Sequence, residues 1–149
     1  MEDPLTDSDA RLALSRKYGF EDWDAVQRDG AGKVDAAFEQ ALDALLTGDL
    51  AARAARLTEM PELARARSAY GHRSTLLHYI GANGVESHRQ VTPLNAADMA
   101  RLLIRHGADR HTVANMYGGG QTAYMLAQTS AHPQEAGVMA ALLASLSVK

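Results

Sequence analysis

Hydrophobic positions recur along this chain at helical spacing, in short segments separated by glycine and proline. Phe38, Leu42, Leu45 and Leu46 fall at i, i+4, i+7 and i+8, which marks one face of a helix ending at Gly48. Asp49 can cap a second helix, in which Leu50, Ala54 and Leu57 repeat the spacing until Met60-Pro61 stops it. A hydroxyl cap at Ser74 or Thr75 opens the next segment, Leu76 to Gly84, with a glycine where the chain must turn left-handed. Its partner runs from Leu94 to His106. It is entered through Thr92-Pro93 or Asn95, carries Met99, Leu102 and Leu103 on one face, and closes at Gly107. A third pair begins at Gly120-Gln121-Thr122. Its second helix is predicted to start at Pro133 and to bury Val138, Leu142, Leu143 and Leu146. Gly137 inside that helix costs roughly 1 kcal/mol relative to alanine, which points to a tight helix contact or a nearby ligand.

Ahead of these pairs, Ser8 is the predicted N-cap of a helix from Asp9 to Lys17, ended near Gly19 and followed by a short helix from Asp22. Met1 to Thr6 reads as a frayed end. Phe20, Trp23 and Val26 make an apolar patch that needs something to bury it. Gly30-Ala31-Gly32 then joins this segment to the pairs. One helical hairpin of some 30 residues cannot hide its apolar stripe alone, whereas adjacent hairpins share a continuous core.

Thr75-Leu76-Leu77-His78, then Ala82-Asn83-Gly84, then Leu102-Leu103 and Gly107-Ala108-Asp109 follow one another in order. Together they resemble one ankyrin repeat, with its T-P-L-H, A-x-x-G, double leucine and G-A-D. Leu76 stands where the family has proline, and the loop after Gly84 is roughly ten residues longer than a repeat of about 33 allows. Gly120-Gln121-Thr122-Ala123-Tyr124-Met125-Leu126-Ala127 resembles the G-x-T-P-L-H-x-A of a further repeat, and Tyr117-Gly118-Gly119-Gly120 adds about three residues before it. Gly48 and Gly84 stand 36 residues apart, close to the family period. Arg16 to Trp23 is similar to an R-x-x-G-F-x-S-W stretch found ahead of ankyrin repeats in some bacterial proteins, with Asp22 in place of serine.

The resemblance implies an all-α fold, a short ankyrin-like helical-hairpin solenoid of about three repeats, the first and last degenerate. An N-terminal helical cap over 1–32 would precede a repeat domain over 33–149, divided at 33–69, 70–112 and 113–149, in one compact unit. Thr75, His78, Gly84, Gly107, Asp109, Gly120 and Thr122 are then structural motif positions, with His78 bonding the threonine hydroxyl and neighbouring backbone.

Composition fits close-packed helices. The 149 residues are 46% hydrophobic but only 5% aromatic, and alanine and leucine dominate. Without cysteine there are no disulfides, no thiolate chemistry and no cysteine-based zinc site. No stretch has the form of a secretory signal or the ~20 apolar residues of a membrane span, so a cytoplasmic protein without membrane contact is the expectation. The net charge of -3 is uneven: residues 1 to 35 hold nine acids against five bases. Arg53, Arg56, Arg65, Arg67 and Arg73 are scattered, read as a solvated helix face, and do not form the basic surface of a nucleic-acid binder.

The chemistry-bearing residues cluster on the insertions. Val85 to Val91 and Thr129 to Pro133 both join the two helices of their pairs, and stacking would set the loops side by side. Their rim would collect Glu86, His88, Arg89, Gln90 and His132, a set suited to a polar or anionic small molecule or to acid-base work. Tyr117 and Asn115 lie in a turn at another level, and His78 is a further candidate for the lining. The plainer alternative is a loop that folds back on itself, with Glu86 and Arg89 paired at i, i+3.

Six histidines occur without H-E-x-x-H or ligand spacing, so no metal is expected. Gly118-Gly119-Gly120 lacks the lysine of a P-loop, no dinucleotide fingerprint is present, and no nucleophile has an assigned base, so no cofactor is expected and a non-catalytic role is favoured, with catalysis left open. The expected function is an interaction module that grips a protein partner with its concave face of turns and first helices, as the resemblance implies. The alternative is a small-molecule-binding or catalytic protein built on loops 85–92, 115–120 and 129–133.

Overall fold

The computed structural model describes residues 4–30 and 35–147, and within them the chain is mostly helical. The joint predicted at Gly30-Ala31-Gly32 and the boundary between 32 and 33 fall largely on 31–34, outside the described residues, as does the start of the predicted frayed end.

Three helix pairs form the body. Helix α3 (Ala36–Leu46) packs on α4 (Leu50–Glu59), α5 (Leu76–Ile80) on α6 (Ala96–Arg105), and α7 (Ala123–Gln128) on α9 (Met139–Leu146), with α8 (Ala131–Glu135) ahead of α9. The first helices touch in the order α3, α5, α7 and the second helices in the order α4, α6, α9. One core runs through all three pairs and includes Phe38, Leu42, Leu45, Leu57, Leu77, Leu103, Leu126 and Leu142. Each such leucine contributes roughly 1.5–3 kcal/mol by leaving water.

Local sequence sets the helix ends. Asp35 accepts the Ala37 amide at 2.9 Å, Asp49 accepts the Ala52 amide at 2.9 Å, and Thr122 accepts the Met125 amide at 3.3 Å, each capping the helix that follows. A 3-10 turn at Pro61–Ala64 follows the stop at Met60 and buries Leu63 and Ala64.

Several expectations need correction. Helix α1 (Asp7–Lys17) starts two residues early, because Thr6 and Asp9 form a reciprocal capping box that displaces Ser8 as N-cap. Helix α6 begins at Ala96, leaving Leu94 80% exposed, because Pro93 shapes a turn closed by its carbonyl and the Ala96 amide. The helix predicted from Pro133 to Leu146 is two helices. Gly137 sits between them at φ +74, where the Val138 amide returns to the Pro133 carbonyl and the Gly137 amide to that of Gln134. This is a Schellman termination. A Cβ at Gly137 would meet nothing within 4 Å, so the glycine serves the turn and not a close contact or a ligand.

A small antiparallel hairpin, β1 (Ala114–Met116) and β2 (Gly119–Gln121), was not anticipated. Met116 pairs with Gly119, leaving Tyr117 and Gly118 as a two-residue loop with φ of +52 and +76. Two successive positive φ values make it a type I′ turn, whose twist suits paired strands.

Helices α1 and α2 (Trp23–Asp29) pack on each other, with the Arg11 guanidinium 5.4 Å from the centre of the Trp23 ring. They meet the body where the Tyr18 and Tyr70 rings cross edge to face at 4.9 Å. Phe20, Trp23 and Val26, the patch expected to need a covering surface, are half-buried and line an apolar groove with Tyr18 and Tyr70.

Of the scattered arginines, Arg65, Arg67 and Arg73 are exposed as expected but lie outside the α-helices and bond to loop carbonyls, whereas Arg53 departs from the expectation. Arg65 donates to the Gly107 carbonyl at 2.7 Å, Arg67 to those of Arg73 and Val113 at 2.7 and 2.9 Å, and Arg73 to that of Ser68 at 3.1 Å. They tie loop carbonyls together, including those of the next pair. Arg53 is fully buried on α4, where Nη1 donates to the Ala41 carbonyl while Nε and Nη2 have no partner among the described residues. Burial lowers its pKa to about 10, so it carries its charge at neutral pH. Replacing it with methionine is expected to raise the unfolding free energy by about 1–3 kcal/mol in a urea titration, because a buried charge with no counterion gives way to packed apolar atoms. A loss of stability would show that the guanidinium is paired.

Candidate functional site

The loop that follows α5 folds inward. Val85 and Glu86 are buried, Ser87–Arg89 make a 3-10 turn, and the Gln90 side chain donates to the Val85 carbonyl at 2.9 Å. The Glu86 carboxylate accepts the Tyr79 hydroxyl at 2.9 and 3.0 Å on its two oxygens, His72 Nε2 at 2.9 Å and Arg89 Nη1 at 3.1 Å. Arg89 reaches on to Glu39 of α3. The loop thus straps α3, α5 and the turn before α5 together. Every residue of α5 is buried.

Electrostatics follow the same contacts. Burial works to raise the Glu86 pKa, but the hydrogen bonds from His72 and Tyr79 outweigh it, and the carboxyl is held below its ordinary range. Burial opposes the charge of Arg89, yet its pairs with Glu39 and Glu86 keep it firmly protonated. Tyr79 is pushed up by burial and remains a donor. The i, i+3 pairing of Glu86 and Arg89 is therefore present. The two charges proposed for ligand binding serve internal contacts.

His72 and His78 use both ring nitrogens. His72 Nδ1 accepts the Ser74 amide at 3.1 Å, so Nε2 carries the hydrogen given to Glu86. His78 Nδ1 accepts the Thr75 amide at 3.1 Å and lies 2.8 Å from the Thr75 hydroxyl. Its Nε2 donates between the carbonyls of Thr112 and Gln121, at 3.0 and 3.1 Å. Burial drives the His78 pKa down to about 4, so the ring is neutral and joins α5 to the segment carrying β1 and β2. Neither ring is a free base for catalysis.

The two inter-helix turns do lie together where Asn83 donates to Thr129 at 2.9 Å and Ser130 donates to the Ala82 carbonyl at 3.0 Å. The predicted rim does not assemble there, because Glu86 and Arg89 turn toward α3 instead. His88 is exposed and His132 half-buried, and neither side chain has a hydrogen bond or ion pair among the described residues. No group of three or more His, Cys, Asp or Glu among the described residues could hold a metal ion. Among the described residues, no helix is long and apolar enough to cross a membrane.

Exposed apolar side chains occur at several places, among them Leu14, Val91, Leu94 and the edge built from turns. Arg67 bridges Thr75 in the turn before α5, β1 and β2 form the turn before α7, and the Asn115 amide donates to the His72 carbonyl at 2.8 Å to join the two. Along that edge Val113 is 46%, Tyr117 67% and Met125 47% exposed. Of the predicted ligand residues only Tyr117 stands there, its hydroxyl donating to Asn83. Val113 and Met125 were missed because an apolar residue in a turn has no spacing to mark it, and Met125 occupies the position that His78 fills in the preceding pair. No protein-family model, no curated protein and no solved structure matches this chain.

Proposed function

We propose that the chain is an ankyrin-like interaction module that binds a protein partner through its turn edge and the exposed side of α7. The observation that carries this reading is the exposure of three apolar side chains in one stretch of the chain, Val113 just before the hairpin, Tyr117 in its loop and Met125 on α7, with the hairpin backbone fixed to the preceding turn. Exposed aromatic and methionine side chains on a rigid support are favoured anchors for a partner. The stacked pairs and the Thr75–His78 bond are consistent with the family pattern. The middle of the usual first-helix face is not open, because the 84–91 loop lies over α5. Binding is accordingly assigned to the third pair and its hairpin.

The competing use of the inserted loops as an acid-base site has less support. Its two charges face inward and its buried histidines are satisfied.

A photo-crosslinking amino acid at 117 or 125, in cells expressing the chain, is expected to trap one discrete protein, whereas the same group at 101 on the exposed side of α6 traps none. With that partner in hand, Met125→Asp is expected to weaken binding at least tenfold while changing stability by less than about 1 kcal/mol. Equal trapping at all three positions, or unchanged affinity, would overturn the reading.

A further inference from the structure

We propose that the cavity between the end of α1, the turn at 71–72, the 84–90 loop and the β1–β2 hairpin binds a small organic anion, its acid group held by Arg16 and Lys17. This site goes beyond the partner surface and does not rest on it.

The cavity encloses about 490 Å³, inside the ~300–1,000 Å³ range of small-molecule sites. It is built from four segments far apart in sequence, so it exists only in the folded chain. Among the described residues, Arg16 and Lys17 are the formally charged residues on its wall, in a protein of net charge -3. Among the described residues neither makes a salt bridge or side-chain hydrogen bond. Glu86 shares the single charge of Arg89 with Glu39, but its carboxylate is taken up by Tyr79, His72 and Arg89 and forms no salt bridge with Arg16 or Lys17.

The remaining wall suits a ligand with a polar body. The side chains of Ser87 and Asn115 have no hydrogen bond within the described protein, and Gln90 keeps its amide oxygen free after donating to Val85. Val85, Met116 and the Tyr117 ring supply apolar surface beside them. Two contacts hold this geometry. A Cβ at Gly71 would lie 2.6 Å from the Lys17 carbonyl, so the end of α1 seats directly on that backbone. The Asn115 amide donates to the His72 carbonyl at 2.8 Å, which fixes the hairpin to the turn at 71–72. Arginine beside lysine fits a phosphate or a carboxylate, and the size of the cavity suits a small molecule.

The test is a titration of the full chain at pH 7 and constant ionic strength, followed by backbone amide NMR, with inorganic phosphate, glucose 6-phosphate and citrate as probes. At least one is expected to bind saturably with Kd below about 1 mM, with shifts concentrated at 71–72, 84–90 and 115–117. Saturation by the phosphate compounds identifies a phosphoryl ligand, and saturation by citrate alone a carboxylate. The exposed pair Arg16→Ala/Lys17→Ala is expected to weaken binding at least tenfold without moving Tm. Asn115→Leu, which keeps the charge and fills the cavity, is expected to weaken it as well, and Met125→Asp to leave it unchanged. No saturable binding by any probe would overturn the proposal. So would a double variant that binds within twofold of the parent, or an Asn115→Leu variant that binds normally, since attraction would then be diffuse. Partner trapping at 117 and 125 is read separately, so either assignment can fail alone.

Discussion

Glu86→Ala is expected to lower the unfolding free energy by about 3–5 kcal/mol, among the largest effects of any single substitution outside the apolar core. The reason is the number of groups that depend on one carboxylate. Its removal leaves the Tyr79 hydroxyl and His72 Nε2–H buried without acceptors, and leaves Arg89 with Glu39 alone. Glu86→Gln retains an acceptor of the same shape and is expected to lose less. The pH dependence carries a definite sign. Because the folded carboxyl is held below its ordinary range, it contributes stability above that range and loses it as pH falls through it. Urea titrations of the three proteins at pH 7 and below 4.5 check both statements. A loss under 1 kcal/mol for the alanine variant would mean that the loop is not a strap.

His78→Leu is expected to cost about 2–4 kcal/mol at pH 7, since the Thr75 amide loses its acceptor and the Thr112 and Gln121 carbonyls lose their donor. It should also flatten the acid limb of stability. The folded ring titrates at about 4 against 6.5 for an unrestrained histidine. Its contribution is therefore complete above pH 6.5 and falls as pH drops from there to about 4, by roughly 3 kcal/mol in total. The window lies above the one set by Glu86, which separates the two groups. Parent protein that is equally stable at pH 7 and pH 5 would contradict this assignment.

The helices were largely legible because their signals are local. Phe38 to Leu46 shows its buried face by spacing alone, and Asp49 and Thr122 announce the helices they cap. Thr75 and His78, three residues apart, could be paired from the motif. The long-range contacts were not legible. Nothing near Glu86 points to His72, fourteen residues earlier, and nothing near Arg89 points to Glu39. A charged loop therefore read as a surface site when its charges face inward. Arg53 misled for the complementary reason, since an arginine amid alanines gives no sign of burial until its neighbours are packed. Gly137 looked like a cost within one long helix because apolar residues continue past it at helical spacing. The hairpin at 114–121 alternates over only the three residues Ala114-Asn115-Met116, too few to mark a strand, and depends on Tyr117-Gly118 and the His72 carbonyl for its form.

Native-state hydrogen exchange across α5 tests most directly that the 84–91 loop seals the first-helix row and leaves recognition to the turn edge. The expected result is that the amides of 78–80 exchange only through global unfolding, together with those of α3 and α6, and that Glu86→Ala shifts them to a separate, cheaper opening. Exchange of 78–80 in the parent protein at a free energy well below that of α3 and α6 would contradict it, because α5 would then open to solvent while the rest of the stack stayed folded.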